Sequence, residues 1–197
     1  MTTALVDGFV RKARESAALG AAFVEKHAAM LEACVRALGE RLQRGGRLYV
    51  MGNGGSSCDA QHVAVEFQHP IIEKRRALAA LALTTDAALL TAVGNDLDFS
   101  QAFVRQLEVQ ARPEDAVLGI SSSGASANVN RALKRARERG LLTIGFAGRD
   151  GGAQADLCQF CFVVPSWSIH RIQETHTLLL HLLWDGVHLA LGEPDVL

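Results

Sequence analysis

Apolar and polar positions change rhythm along this chain. From about Thr3 to Gln43 the apolar residues recur at helical spacing. Leu5, Phe9, Val10 and Ala13 form one stripe, and Phe23, Val24, Met30, Leu31, Cys34, Leu38 and Leu42 form a second. No proline interrupts them, so the pattern predicts two helices joined near Gly20 or His27. Both stripes are wide for solvent-facing helices, which predicts that they pack against another subunit.

After Gly45-Gly46 the rhythm becomes an alternation of short apolar runs and helical segments. Candidate strands are Arg47–Met51, Leu78–Leu83, Ala116–Ile120, Leu142–Phe146 and Gln159–Val164. Candidate helices are Ser57–Gln68, Ala87–Gly94, Phe99–Ala111, Ser126–Arg139 and Arg171–Leu191. Short apolar strands separated by helices imply an α/β fold: a parallel sheet flanked by helices in three layers, with the N-terminal helical pair added. One domain over residues 1–197 is expected, with 1–44 serving oligomerisation and 45–197 forming the α/β core. The tail Gly192–Leu197 is expected to be loose.

Composition narrows the function classes. Twenty basic and 21 acidic residues leave a net charge of -1, without the basic surplus of a nucleic-acid footprint. No apolar run approaches the roughly 18 residues of a membrane helix, and no signal-peptide pattern opens the chain, so a cytoplasmic location is expected. Four cysteines in 197 residues do not make a disulfide framework. Cys158 and Cys161 have C-x-x-C spacing, but they fall in an apparent strand, where positions three apart point to opposite faces. They are therefore expected to act as small apolar side chains.

Two turns at strand ends carry the candidate chemistry. Gly52-Asn53-Gly54-Gly55-Ser56 follows the first strand, and Ser121-Ser122-Ser123-Gly124-Ala125-Ser126 follows the third. Each leads into a helix, so backbone amides, hydroxyls and the positive end of a helix dipole converge where an anion binds. Neither turn is a P-loop, since no Lys-Ser/Thr follows the glycines, and neither has the dinucleotide spacing. Just behind the first turn, His62 and Glu66 share a helical face, a pattern suited to a divalent metal or to paired proton transfer. On the last helix, spacing places Glu174, Leu178 and His181 on one stripe and gives no reason to prefer Gln173.

These motifs, taken in order, resemble the phosphoheptose isomerases of the sugar isomerase (SIS) domain family. The resemblance rests on Gly52–Ser56 with Cys58-Asp59-Ala60 and His62, on Gly94-Asn95-Asp96, and on Gly119–Gly124 with Ser126–Val129. Gly148-Arg149-Asp150-Gly151-Gly152, Val164-Pro165 and Arg171-Ile172-Gln173-Glu174 complete it. It implies conversion of sedoheptulose 7-phosphate to D-glycero-D-manno-heptose 7-phosphate through an enediol. Carried over residue by residue, it implies one zinc per subunit on His62, Glu66, Gln173 and His181, with Glu66 and His181 as the acid/base pair. Asn53, Gly54, Gly55, Ser56, Asn95, Asp96, Ser121, Ser122, Ser123, Ser126 and Gln173 would contact the phosphorylated seven-carbon sugar. A homotetramer with sites at subunit junctions is also implied, with neither nucleic acid nor membrane as partner.

The chain departs from the family pattern at Phe67-Gln68-His69-Pro70 and at Trp167 and His170. The family also has non-catalytic members, which bind a sugar phosphate or a replication initiator protein. The initiator-binding members lack the glutamate that stands here as Glu66.

Overall fold

A computed structural model describes residues 3–71 and 75–195. Five strands form one parallel sheet: β1 (Leu48–Gly52), β2 (Ala80–Ala82), β3 (Ala116–Ser121), β4 (Leu142–Gly148) and β5 (Phe160–Val164), in the order β2-β1-β3-β4-β5. The helices are α1 (Ala4–Gln43), α2 (Gly55–Gln68), α3 (Ala87–Asp96), α4 (Ala102–Gln110), α5 (Ala127–Glu138), α6 (Gln154–Leu157) and α7 (Ile169–Ala190), with a 3₁₀ turn at Phe99–Gln101. Each predicted strand is present, shifted at its ends by one or two residues.

Side-chain alternation along the strands divides the core in two. Leu48 and Val50 of β1 and Leu118 and Ile120 of β3 join one cluster, with residues of α1, α2 and α7. Tyr49, Met51 and Val117 face the other way, against α4 and α5. All positions of β1, β3 and β4 are buried, as a sheet covered on both faces requires. The three layers expected from the alternating pattern are therefore present.

The N-terminal region differs from expectation. It is one helix of 40 residues, about 60 Å long at the usual rise, rather than a helical pair. Gly20 is a packing position and not a break. It is buried, and a methyl group there would come within 3.1 Å of Leu178 Cδ2 on α7. Gly39 is less constrained, since a methyl group there would meet Leu191 at an ordinary 3.5 Å. Thr3 starts the helix by accepting a hydrogen bond from the Val6 amide at 3.3 Å. The C-terminal half of α1 lies on the sheet, whereas Leu5 and Phe9 are 66% and 60% exposed near its start.

The tail is also more ordered than expected through Pro194. Glu193 pairs with His188 at 2.9 Å and with Arg76 at 3.3 Å, and the Pro194 carbonyl accepts from Arg75. Residues 196–197 lie outside the described part of the chain.

Candidate functional site

The strand order creates the site. Chain direction across the sheet reverses between β1 and β3, which are neighbours with Gly52 opposite Ile120. The helix that follows β1 packs on one face of the sheet, and the helix that follows β3 packs on the other. A crevice opens where they diverge, beyond the carboxyl ends of the strands. Both predicted anion turns lie at that crevice.

One pair of side chains ties the two turns together. The Asn53 and Asn128 carboxamides exchange reciprocal hydrogen bonds of 2.9 and 2.8 Å. Asn128 is buried, and its oxygen also accepts from the Val129 amide at 3.0 Å. The first turn is compact: the Ser56 amide donates to the Asn53 carbonyl, and the Ser57 amide and hydroxyl both donate to the Gly54 carbonyl. Gly54 caps α2 with a positive φ of 54°. The α2 dipole therefore opens at this turn.

The second turn gathers hydroxyls. Ser121 Oγ lies 2.9 Å from Ser126 Oγ and 3.5 Å from Ser123 Oγ, and Ser123 Oγ accepts from the Ala125 amide at 3.2 Å. Gly124 makes the bend with φ 63°, and a methyl group there would collide with the Gly151 carbonyl. Its own carbonyl accepts from the Gln154 amide and from Asn130 Nδ2. The segment after β4 thus props the serine loop from behind. Arg149, in that segment, holds the left-handed region with φ 59°, and its guanidinium lies 5.5 Å from the Trp167 ring centre.

Behind the first turn, α2 and α7 pack on the same face of the sheet and bring three ionisable groups together. His62 Nε2 lies 3.3 Å from Glu66 Oε1, and the His62 and His181 rings meet edge-on with centres 5.0 Å apart. One donor atom from each of His62, Glu66 and His181 falls within 4.8 Å of the others. A tetrahedral ion with bonds near 2.1 Å separates its ligands by about 3.4 Å, so small side-chain rotations would close this set around zinc. Two imidazoles and a carboxylate suit that metal. Asp59, one turn before His62, has its pKa raised by burial, an effect that His62 opposes.

Gln173 reaches the first turn from α7. A methyl group on Gly55 would lie 2.6 Å from Gln173 Nε2, so the absent side chain at Gly55 makes room for that amide. Glu174, which spacing grouped with His181, is turned away. It accepts from Ser16 of α1 and from Arg171, both at 2.6 Å. His176, on the same helix, is fully buried and bonds the Ala147 carbonyl at 3.0 Å. Burial holds its pKa down to about 4, against a smaller upward push from that bond. Asn95 and Asp96 sit at the exposed end of α3 and bond each other at 2.7 Å. Among the described residues, neither hydrogen-bonds to either loop.

Neither Asn128 nor His176 was given a role in the site from sequence, although Asn128 lies within the Ser126–Val129 motif of the resemblance. An asparagine and a histidine on helices carry no spacing signal of their own.

Comparison with known proteins identifies the family. A model of the SIS domain matches residues 13–148. A phosphoheptose isomerase from Solidesulfovibrio magneticus is 47% identical over 169 residues, which is 86% of this chain and 82% of that protein. The solved phosphoheptose isomerase from Francisella tularensis superposes with a TM-score of 0.89 at 30% identity, covering 95% of this chain and 100% of that one. The one from Neisseria gonorrhoeae gives 0.84 at 37% identity, covering 93% and 98%. The parallel sheet, its strand order and the two glycine- and serine-rich turns at the switch point are those of a SIS-domain enzyme. The chain belongs to the SIS-domain family, in its phosphoheptose isomerase branch, and is an isomerase.

Proposed function

We propose that the protein interconverts sedoheptulose 7-phosphate and D-glycero-D-manno-heptose 7-phosphate. The observation that carries this reading is the position of α2. The helix opens at an anion loop, which Asn53 and Asn128 lock to a second one, and it presents His62 and Glu66 behind that loop. A phosphate held at one end of a sugar leaves its carbonyl end to reach a carboxylate and two imidazoles.

The chemistry follows from the residues. Ser121, Ser123 and Ser126, the loop amides and the dipoles of α2 and α5 hold the phosphate. Glu66 removes the proton from the carbon beside the carbonyl, and the electron pair forms an enediol. His181 gives a proton to the carbonyl oxygen as the enediol forms, and takes one back from the neighbouring hydroxyl as the enediol collapses. Glu66 then returns its proton to the adjacent carbon, completing the exchange of aldehyde and ketone. His62, Glu66, His181 and Gln173 would hold zinc, which supplies positive charge to the oxygen that becomes negative. Asn53 and Gln173 orient the sugar hydroxyls between the two ends.

The names of the relatives support the substrate: those compared above are phosphoheptose isomerases. Glu66 beside His62 and His181 favours turnover over a non-catalytic sugar-phosphate or initiator-binding role. The test is incubation of purified protein with sedoheptulose 7-phosphate, with product detection by NMR. Appearance of the aldose supports the proposal. Binding without conversion contradicts it in favour of a sensor. Loss of rate in chelator, restored by zinc, tests the metal.

The same reading includes a homotetramer. His181 is exposed in the single chain, as are Leu5 and Phe9, and an apolar groove of about 360 Å³ between α1 and α7 is lined by Leu31, Val35, Leu182 and Leu189. A second copy would cover these faces and close the mouth of the site.

A further inference from the structure

The C-x-x-C pair is not two isolated apolar cysteines. β5 begins at Phe160, so Cys158 precedes it, and the rule of opposite faces applies only to Cys161. Both sulfurs converge over Gly145 of β4, the ladder partner of Cys161. A methyl group on Gly145 would come within 2.7 Å of Cys158 Sγ and 3.1 Å of Cys161 Sγ. Glycine at that position makes the space that the two thiols share. The thiols hydrogen-bond to each other, neither is in a disulfide, and both are partly exposed, Cys161 on the edge strand of the sheet and Cys158 just before it.

The two thiols are unequal. The bond from Cys158 holds the pKa of Cys161 below its ordinary value, against the opposing effects of burial and of Asp156. Cys158 is pushed up by that same bond and by burial. Cys34 is buried and pushed up to about 12, which makes it inert as a nucleophile.

We propose that Cys158 and Cys161 form a modification site that takes a small-molecule disulfide and closes to an internal disulfide. Cys161, as thiolate, attacks one sulfur of the reagent RSSR. The S–S bond breaks, and RS⁻ leaves and takes up the proton that Cys161 lost. Cys158 then gives its proton to the second departing RS⁻ as its sulfur attacks the Cys161 sulfur of the mixed disulfide. The two protein thiols are oxidised by two electrons, and one RSSR is reduced to two RSH. Gln154 packs against the same Gly145 site and donates to Gly119 of β3 at 2.7 Å, while its backbone amide holds Gly124 of the serine loop. The dithiol thus lies one residue's contacts from the anion site.

The test uses the native protein with oxidised glutathione, followed by alkylation of the remaining thiols and tryptic digestion. Cleavage after Arg149 and Arg171 puts both cysteines in one peptide, Asp150–Arg171. The expected result is that peptide lighter by two hydrogens and free of alkyl groups. In Cys158→Ser, the same peptide should instead retain glutathione on Cys161. A wild-type peptide with both thiols alkylated, or one that keeps glutathione on Cys161 without closing, would overturn the proposal.

Discussion

Asn53 and Asn128 show what one residue pair contributes. Each amide is the other's donor and acceptor, and Asn128 is buried. Truncation in Asn53→Ala leaves that amide unsatisfied, at a cost of about 1–3 kcal/mol. The expected outcome is a lower melting temperature by calorimetry together with a raised KM, because the two anion loops lose their tie. A variant with unchanged KM would mean that the loops hold their spacing without it. Gly124 makes a similar demand on the backbone, with its positive φ and the Gly151 carbonyl behind it. Gly124→Ala is expected to weaken phosphate-ester binding at least tenfold by isothermal titration with sedoheptulose 7-phosphate, since the serine loop must move to admit a methyl group.

At the scale of elements, α7 joins three parts of the site. It sends Gln173 to the first turn, His176 to the end of β4 and His181 to the His62–Glu66 face. His176 makes stability depend on pH. Its pKa is about 4 in the fold against about 6.5 when unfolded, so the unfolded chain binds more protons between those values. Its contribution is full above about pH 6.5 and is lost as pH falls towards 4, the loss reaching about 3 kcal/mol. The melting temperature of His176→Gln should therefore fall less steeply than that of wild type over this window. Equal slopes would show that other groups set the acid limit.

Elements also show what the chain's residues announced in advance. β1, β3 and β4 were readable because fully buried parallel strands are continuous apolar runs with glycine or serine at their ends. The two turns were readable because their residue types are the ones that bend backbone and donate to anions. The two apolar stripes of α1 gave no sign of continuity. Gly20 reads as a break in sequence, and only the packing of Leu178 against it shows why the helix continues. Spacing alone grouped Glu174 with His181. It could not foresee that Arg171 and Ser16 would hold the Glu174 carboxylate away. Cys158 and Cys161 were misplaced for a similar reason: the strand begins only at Phe160, so Cys158 lies outside it and the thiols meet.

For the whole molecule, the question is what covers the exposed apolar surface. Leu5 and Phe9 are exposed near the start of α1, and the groove between α1 and α7 is lined by Leu31, Val35, Leu182 and Leu189. Light scattering at micromolar concentration should give a tetramer mass. Phe9→Asp, which places a charge in that surface, should shift the assembly towards smaller species without loss of helical circular dichroism. A wild-type monomer would contradict the assembly. His181 lies exposed at the mouth of the site, so dissociation should also lower turnover.

The central claim is that the paired anion loops and the His62–Glu66–His181 face act on one substrate, with Glu66 moving the proton. Steady-state isomerisation of sedoheptulose 7-phosphate by Glu66→Gln tests it most directly. The expected kcat is lower by at least about two orders of magnitude, with KM changed by only a few-fold, because the phosphate loops remain intact. A Glu66→Gln enzyme with nearly wild-type kcat would contradict it.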